Sequence, residues 1–246
     1  MQIVERRSLS RARLERHLDE LEATADVGIT VYVRPGQLAA CITSIEQEHG
    51  HWAREMRELP ASVAQSETGL VLFWSDDRKE ALLPPFPVEA DRCLPTWDGS
   101  ALRALLDRRR LLGVLLLRLG GYSVGVFEGQ RLLVHKTGQR FVKGRHRAGG
   151  QSQRRFARRR EKQIRELFDA ACSVVKAKFE PYEGDLEHIF LGGDRLTLHS
   201  FLKRCPYLQP LADRIRRRVL PVAEPRYKAL RDIPAEIWKT EVLTLE

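Results

Sequence analysis

The sequence predicts a mixed α/β fold, and three observations carry that expectation. The strand-like runs Leu111–Arg118, 122–127 and 131–136 follow one another with only Leu119-Gly120-Gly121 and Glu128-Gly129-Gln130 between them. Such spacings give a meander of antiparallel hairpins. Residues 152–178 place Phe156, Ile164, Leu167, Phe168, Ala171, Val174 and Val175 on one helical face and Arg155, Arg159, Lys162 and Glu166 on another. That is the longest amphipathic helix in the chain. Residues 188–191 then return to strand composition and end in Gly192-Gly193-Asp194 before a further helix from Thr197. Strands in a meander, followed by strands alternating with helices, argue a mixed sheet.

Ser8 caps a predicted helix over 8–24, in which Leu9, Leu14, Leu18 and Leu21 recur at near-helical spacing. Residues 27–33 are rich in β-branched types and read as a strand stopped by Pro35-Gly36. The segment 38–57 is partly helical. Residues 60–69 supply a turn or short helix and a boundary, which divides the chain into an N-terminal α/β appendage, 1–66, and a core, 67–246, with a C-terminal extension. Residues 69–74 form a short apolar run typical of a buried strand. Residues 82–87 are extended but excluded from a central strand, because Pro84, Pro85 and Pro87 lack an amide donor. Asp98-Gly99-Ser100 opens a helix to Arg109, and Pro181 closes the long helix. Residues 219–222 give a last core strand, and the tail to Glu246 a helix and a strand.

Charge narrows the function classes. The 246 residues carry a net charge of +9, which predicts attraction to polyanions. The excess is local: between Gln139 and Arg160 stand Arg140, Lys143, Arg145, Arg147, Arg154, Arg155, Arg158, Arg159 and Arg160, with no acid among them. The first residues lack the apolar run of a signal peptide, and the longest apolar stretch, around 111–117, is too short to cross a bilayer. The expectation is a cytoplasmic protein without membrane attachment. Cys41, Cys93, Cys172 and Cys205 lie far apart, with none of the close spacing of a zinc ribbon or redox motif. They read as reduced thiols, Cys172 packed on a helix face, and neither metal nor cofactor is expected.

The basic segment turns on Gly149-Gly150-Gln151-Ser152. Two adjacent glycines open backbone conformations closed to other residues and let the chain thread a narrow space. The helix that follows begins with arginines, at the end where the macrodipole already carries partial positive charge. Clustering Arg154, Arg155, Arg158 and Arg159 there costs stability unless an external anion offsets it, and RNA phosphate is the natural candidate.

Gly149-Gly150-Gln151-Ser152 followed by Arg155-Phe156-Ala157-Arg158 and Arg160 resembles the catalytic loop and helix of archaeal and eukaryotic class 1 peptide release factors. The Arg158-Arg159-Arg160 run, the Gly120-Gly121 hairpin and the overall length look most like the Vms-like release factor (VLRF) group of peptidyl-tRNA hydrolases of actinobacteria. The resemblance covers roughly residues 67–221 and is strongest over 143–161. It implies a ribonuclease-H-like catalytic domain and hydrolysis of the ester joining a nascent peptide to tRNA. Gly149, Gly150 and Gln151 would be the catalytic residues. Lys143, Arg145, Arg147, Arg154, Arg155 and Arg158 would bind the backbones of rRNA and tRNA. With only about 66 residues before the core, codon reading is not expected, which favours ribosome rescue by a monomer acting on the large subunit. Two other readings stay open: nuclease-like cleavage near the tRNA 3′ end, and a non-catalytic rRNA- or tRNA-binding module.

Competing sites are weaker. Gly150-Gln151-Ser152-Gln153-Arg154 lacks the final glycine of a nucleophile elbow, so Ser152 reads as a helix cap. His146 is a lone loop histidine, and Asp185, Glu187 and His188 lack a second histidine at ligand spacing. Phe156 is expected to pack the helix base into the core.

Overall fold

Local chemistry sets most of the elements. In chain order they are β1 (Ile3–Leu9), α1 (Arg11–Ala23), β2 (Ile29–Val33), α2 (Leu38–Ile45), α3 (Gly50–Arg57), α4 (Ala61–Ala64), β3 (Leu70–Trp74), β4 (Lys79–Leu83), β5 (Arg92–Leu94) and α5 (Ser100–Asp107). There follow β6 (Leu111–Arg118), β7 (Gly121–Glu128), β8 (Arg131–Gln139), α6 (Gln151–Phe179), β9 (Leu186–Gly193), α7 (Arg195–Arg204), β10 (Ile215–Leu220), α8 (Tyr227–Asp232), α9 (Pro234–Ile237) and β11 (Thr240–Leu245). The computed structural model describes residues 1–24, 27–142 and 151–246, and the side chains of α6 from Arg155 onward. The chain divides into two units, Met1–Arg108 with Ala235–Glu246, and Arg109–Pro234.

The first unit is built on a six-stranded antiparallel sheet of order β1-β11-β4-β3-β2-β5. Strands β2 and β3 are buried along their whole length. Ile29, Val31 and Val33 join Leu70, Leu72 and Trp74 against Ile42, Trp52 and Met56 of α2 and α3. Helix α1 buries Leu14, Leu18 and Leu21, as its spacing predicts, but starts later than expected: Ser10 is its N-cap and residues 3–9 form β1. Strand β4 lies between β11 and β3. It ends at Leu83, one residue before the first proline, so the proline argument holds for 84–87 and the strand lies on their N-terminal side. The boundary suggested at 66/67 falls between α4 and β3, inside this unit, because β2 pairs with β3 across it.

The second unit holds the meander. Its sheet has the order β10-β9-β6-β7-β8, with β6, β7 and β8 antiparallel and β9 parallel to both β6 and β10. The sheet is mixed, as predicted. Helices α6 and α7 cover one face through Leu167, Phe168, Ala171, Val175, Phe179, Leu198 and Phe201, packed against Leu115, Leu117, Tyr122, Val124 and Val126. Helix α8 lies against β7 and β8. Gly113 on β6 is required by packing: a Cβ there would stand 2.8 Å from the Phe179 ring. Gly193, at φ +133, closes β9 where a Cβ would come within 2.0 Å of the Leu117 carbonyl oxygen.

Candidate nucleic-acid interface

Strand β8 delivers the chain to the basic segment. The Arg140 amide donates to the Gly120 carbonyl at 3.0 Å, which fixes the exit beside the β6–β7 turn. Val142 packs on the core while Phe141 faces outward, 75% exposed. Lys143, Arg145, Arg147, Gly149 and Gly150 lie outside the described residues, as does His146. Gln151 begins α6. Its side chain and those of Ser152 and Arg154 are likewise outside them.

Helix α6 has two dissimilar parts. Between Arg155 and Gln163 no side chain is buried, a stretch of ~14 Å at 1.5 Å per residue. Arg155, Arg158 and Arg159 are exposed and share one face at i, i+3 and i+4. Among the described residues none of the three has an ion-pair partner, and the first turn contains no acid. Farther along the helix Lys162 and Glu166 pair at 3.9 Å. Arginines of the first unit are treated differently: Arg103 binds Glu15, Asp19 and Glu22 at 3.0, 2.7 and 2.8 Å. Arg159 was not among the expected contacts, although its spacing from Arg155 places it on the same face. Phe156 departs from expectation. It is 42% exposed rather than sunk in the core, because α6 meets the sheet only from Ile164 onward.

The second part is fastened to α7 by three contacts. The rings of Phe168 and Phe201 meet edge to face at 5.7 Å. Arg204 makes a fork with the Asp169 carboxylate at 2.8 and 2.9 Å, and this pairing holds the Asp169 carboxyl below the usual carboxylate range. Cys172 and Cys205 form a disulfide with Cα atoms 5.4 Å apart. This corrects the reading of all four cysteines as reduced. Residues 33 positions apart in sequence are brought together by the α6–α7 packing, which no local spacing reveals. Cys41 and Cys93 remain free thiols, and burial pushes the Cys41 thiol up to about 11.

The other candidate sites hold little chemistry. Glu187 stands 3.8 Å from the Arg110 guanidinium. Among the described residues no three His, Cys, Asp or Glu side chains gather as metal ligands. No described helix is long and apolar enough to cross a membrane.

The profile of a family described as acVLRF1, the Actinobacteria/chloroflexi VLRF1 release factors, matches residues 110–243. The chain belongs to this family. The acVLRF1 match runs from the first strand of the meander into β11, and so takes in Gly149-Gly150-Gln151 and all of α6. Peptide chain release factor subunit 1 of Aeropyrum pernix is 25% identical over 96% of this chain and 71% of its own length. Its counterpart in Methanopyrus kandleri is 26% identical over 81% of this chain, which spans about half (56%) of that relative. Among solved structures, one titled Vms1 mitochondrial localization core aligns over 85% of this chain and 95% of its own, at 13% identity and a TM-score of 0.43.

Proposed function

We propose that this acVLRF1 member is a ribosome-rescue factor that hydrolyses the ester of peptidyl-tRNA on the large ribosomal subunit. Support comes from Arg155, Arg158 and Arg159, which have no ion-pair partner among the described residues and follow Gly149-Gly150-Gln151 within the first turns of α6. Cations at a helix N-terminus oppose the macrodipole, and that cost is recovered when polyanionic RNA docks. Lys143, Arg145, Arg147, Arg154, Arg155 and Arg158 are assigned to backbones of rRNA and tRNA, setting register without reading sequence. The catalytic residues are assigned as Gly149, Gly150 and Gln151. The Gln151 side chain is a neutral amide and does not act as a general base at pH 7. Its backbone N–H donates to the developing oxyanion, while its side chain orients water at the ester carbon. Gly149 and Gly150 leave the loop free of side chains, so the amide reaches the ester without a clash. The protein thus contributes positioning and electrostatics, and catalysis occurs only when it is docked. It acts as a cytoplasmic monomer without a cofactor.

Large subunits carrying peptidyl-tRNA test this directly. Gly149→Ala, which displaces the Gln151 amide, is expected to lower the release rate by about 100-fold, the usual cost of losing an oxyanion donor, and Gln151→Ala, which keeps that amide and loses only the side chain that orients water, to lower it less, while subunit binding is retained. Normal release by both variants overturns the hydrolytic assignment. Mass analysis of the liberated peptide distinguishes hydrolysis, which leaves a free carboxyl end, from cleavage within the tRNA, which leaves nucleotides attached. A wild-type protein that binds subunits and liberates nothing is a binding module.

A further inference from the structure

One edge of the second unit's sheet has an unusual surface. The pairings Leu117↔Gly193, Arg118↔Gly121 and Gly121↔Gln139 bring the carboxyl ends of β9, β6 and β8 and the amino end of β7 into one row. Three steps between neighbouring strands make that row ~14 Å wide, at ~4.8 Å per step. Helix α7 starts there, and residues 140–142 leave there for the basic segment. Loop ends of this kind are ordinarily polar. This one exposes Leu119, Phe141 and Leu196 by 42%, 75% and 80%. Exposed Arg118, Arg140, Arg195 and Arg226 stand among them.

Beside the row lies a cleft of about 320 Å³ lined by Arg118, Leu119, Gly121, Gln139, Pro225 and Arg226 among others. Its far wall is held in place. Arg118 Nη1 donates to the Val222 carbonyl at 2.8 Å, and Ser123 Oγ to the Pro225 carbonyl at 2.6 Å. The nearby carboxylates are committed. Glu224 pairs with Arg226 at 2.7 Å, and Asp194 caps α7 by accepting from the amides of Leu196 and Thr197.

We propose that this rim binds an unpaired nucleotide of ribosomal RNA, its base stacked on Phe141 beside Leu119 and a flanking phosphate on Arg140. An exposed aromatic face flanked by arginines suits an unpaired base of any sequence, and a protein partner would not call for this excess of cations. The rim is also continuous in sequence with the basic residues 143–147, so the same RNA mass can meet both. The inference rests on the RNA-docking part of the function proposed above and is independent of its hydrolytic part.

Two measurements test it: fluorescence anisotropy with a single-stranded oligoadenylate, and binding to purified large subunits across a salt series. Phe141→Ala weakens both by about 10-fold, within the range for loss of one stacked base, without changing the salt slope. Phe141→Trp restores affinity, and its added fluorescence is quenched when the oligonucleotide binds. Arg140→Ala lowers the slope by about one. Because Phe141 is largely exposed, the thermal midpoint of these variants stays at the wild-type value. Unchanged binding by Phe141→Ala overturns the proposal, as does a loss confined to intact subunits, which would mark a ribosomal protein as the occupant. In the release assay Phe141→Ala raises the concentration for half-maximal release and leaves the plateau intact. A wild-type protein that stacks RNA on Phe141 but releases no peptide removes the hydrolytic reading alone.

Discussion

The two parts of α6 use the same secondary structure for opposite purposes. From Ile164 to Phe179 the helix is held by the sheet, by Phe201, by Arg204 and by the disulfide to Cys205. From Arg155 to Gln163 no side chain is fully buried, and Arg155, Arg158 and Arg159 find no carboxylate among the described residues. A helix that is polar all round and carries like charges at i and i+4 is poorly stable alone. Its persistence here follows from continuity with a well-anchored continuation. The anchoring contacts and the proposed RNA contacts thus occupy separate turns of one helix, so substitutions should separate them cleanly.

The largest effect is expected in the anchored part. Phe168→Ala removes a buried ring and should cost about 3–5 kcal/mol of unfolding free energy, leaving the salt slope of subunit binding untouched in the fraction still folded. Opening the Cys172–Cys205 link comes next. It closes a loop of 33 residues, so Cys205→Ser should cost about 3–4 kcal/mol in the loop-entropy account. The check is a chemical-denaturation series with and without reductant, in which reductant moves the wild-type midpoint and leaves the variant unmoved.

The exposed part should behave in the reverse sense. Replacing Arg155, Arg158 and Arg159 together by alanine should weaken subunit binding by about 100-fold near physiological salt and flatten its salt slope by about three. The same replacement should leave the thermal midpoint unchanged or raise it, since it relieves repulsion at the dipole's positive end. A lower midpoint with an unaltered slope would erase the division between the two parts.

The smallest effect belongs to the surface pair. Asp169 has its carboxyl pKa lowered by the Arg204 hydrogen bonds. A depressed folded-state pKa contributes stability above the unfolded carboxylate's pKa, near 4, and that contribution disappears as pH falls through the folded value. Asp169→Asn should therefore be less stable than wild type by under about 1 kcal/mol at pH 7 and equal to it near pH 2. A difference that persists in acid would trace the effect to packing instead.

Much of the second unit was legible because its signals are local. Glycine-punctuated apolar runs announced β6, β7 and β8, and the 3.6-residue period of Ile164, Leu167, Ala171 and Val175 announced α6. The first unit was harder to read. Strand β1 carries Glu5, Arg6 and Arg7 in its middle, and its partner β11 lies far away in the sequence, so nothing nearby marks it as a strand. Strand β4 was masked by the prolines that follow it. The disulfide joins cysteines with no motif between them. Phe156 was assigned to the core because its apolar period runs on into Ile164, whereas burial depends on where the sheet ends. Gly149, Gly150 and Gln151 are legible as a motif, because the pair of glycines and the basic flanks are adjacent in sequence.

Strand β11 lies between β1 and β4, yet it is made after the whole of the second unit. During vectorial synthesis the six-stranded sheet therefore keeps an open slot until the final strand emerges, while the meander and α6 can already close into a domain. The unit that carries α6 would then mature before the unit whose sheet β11 completes.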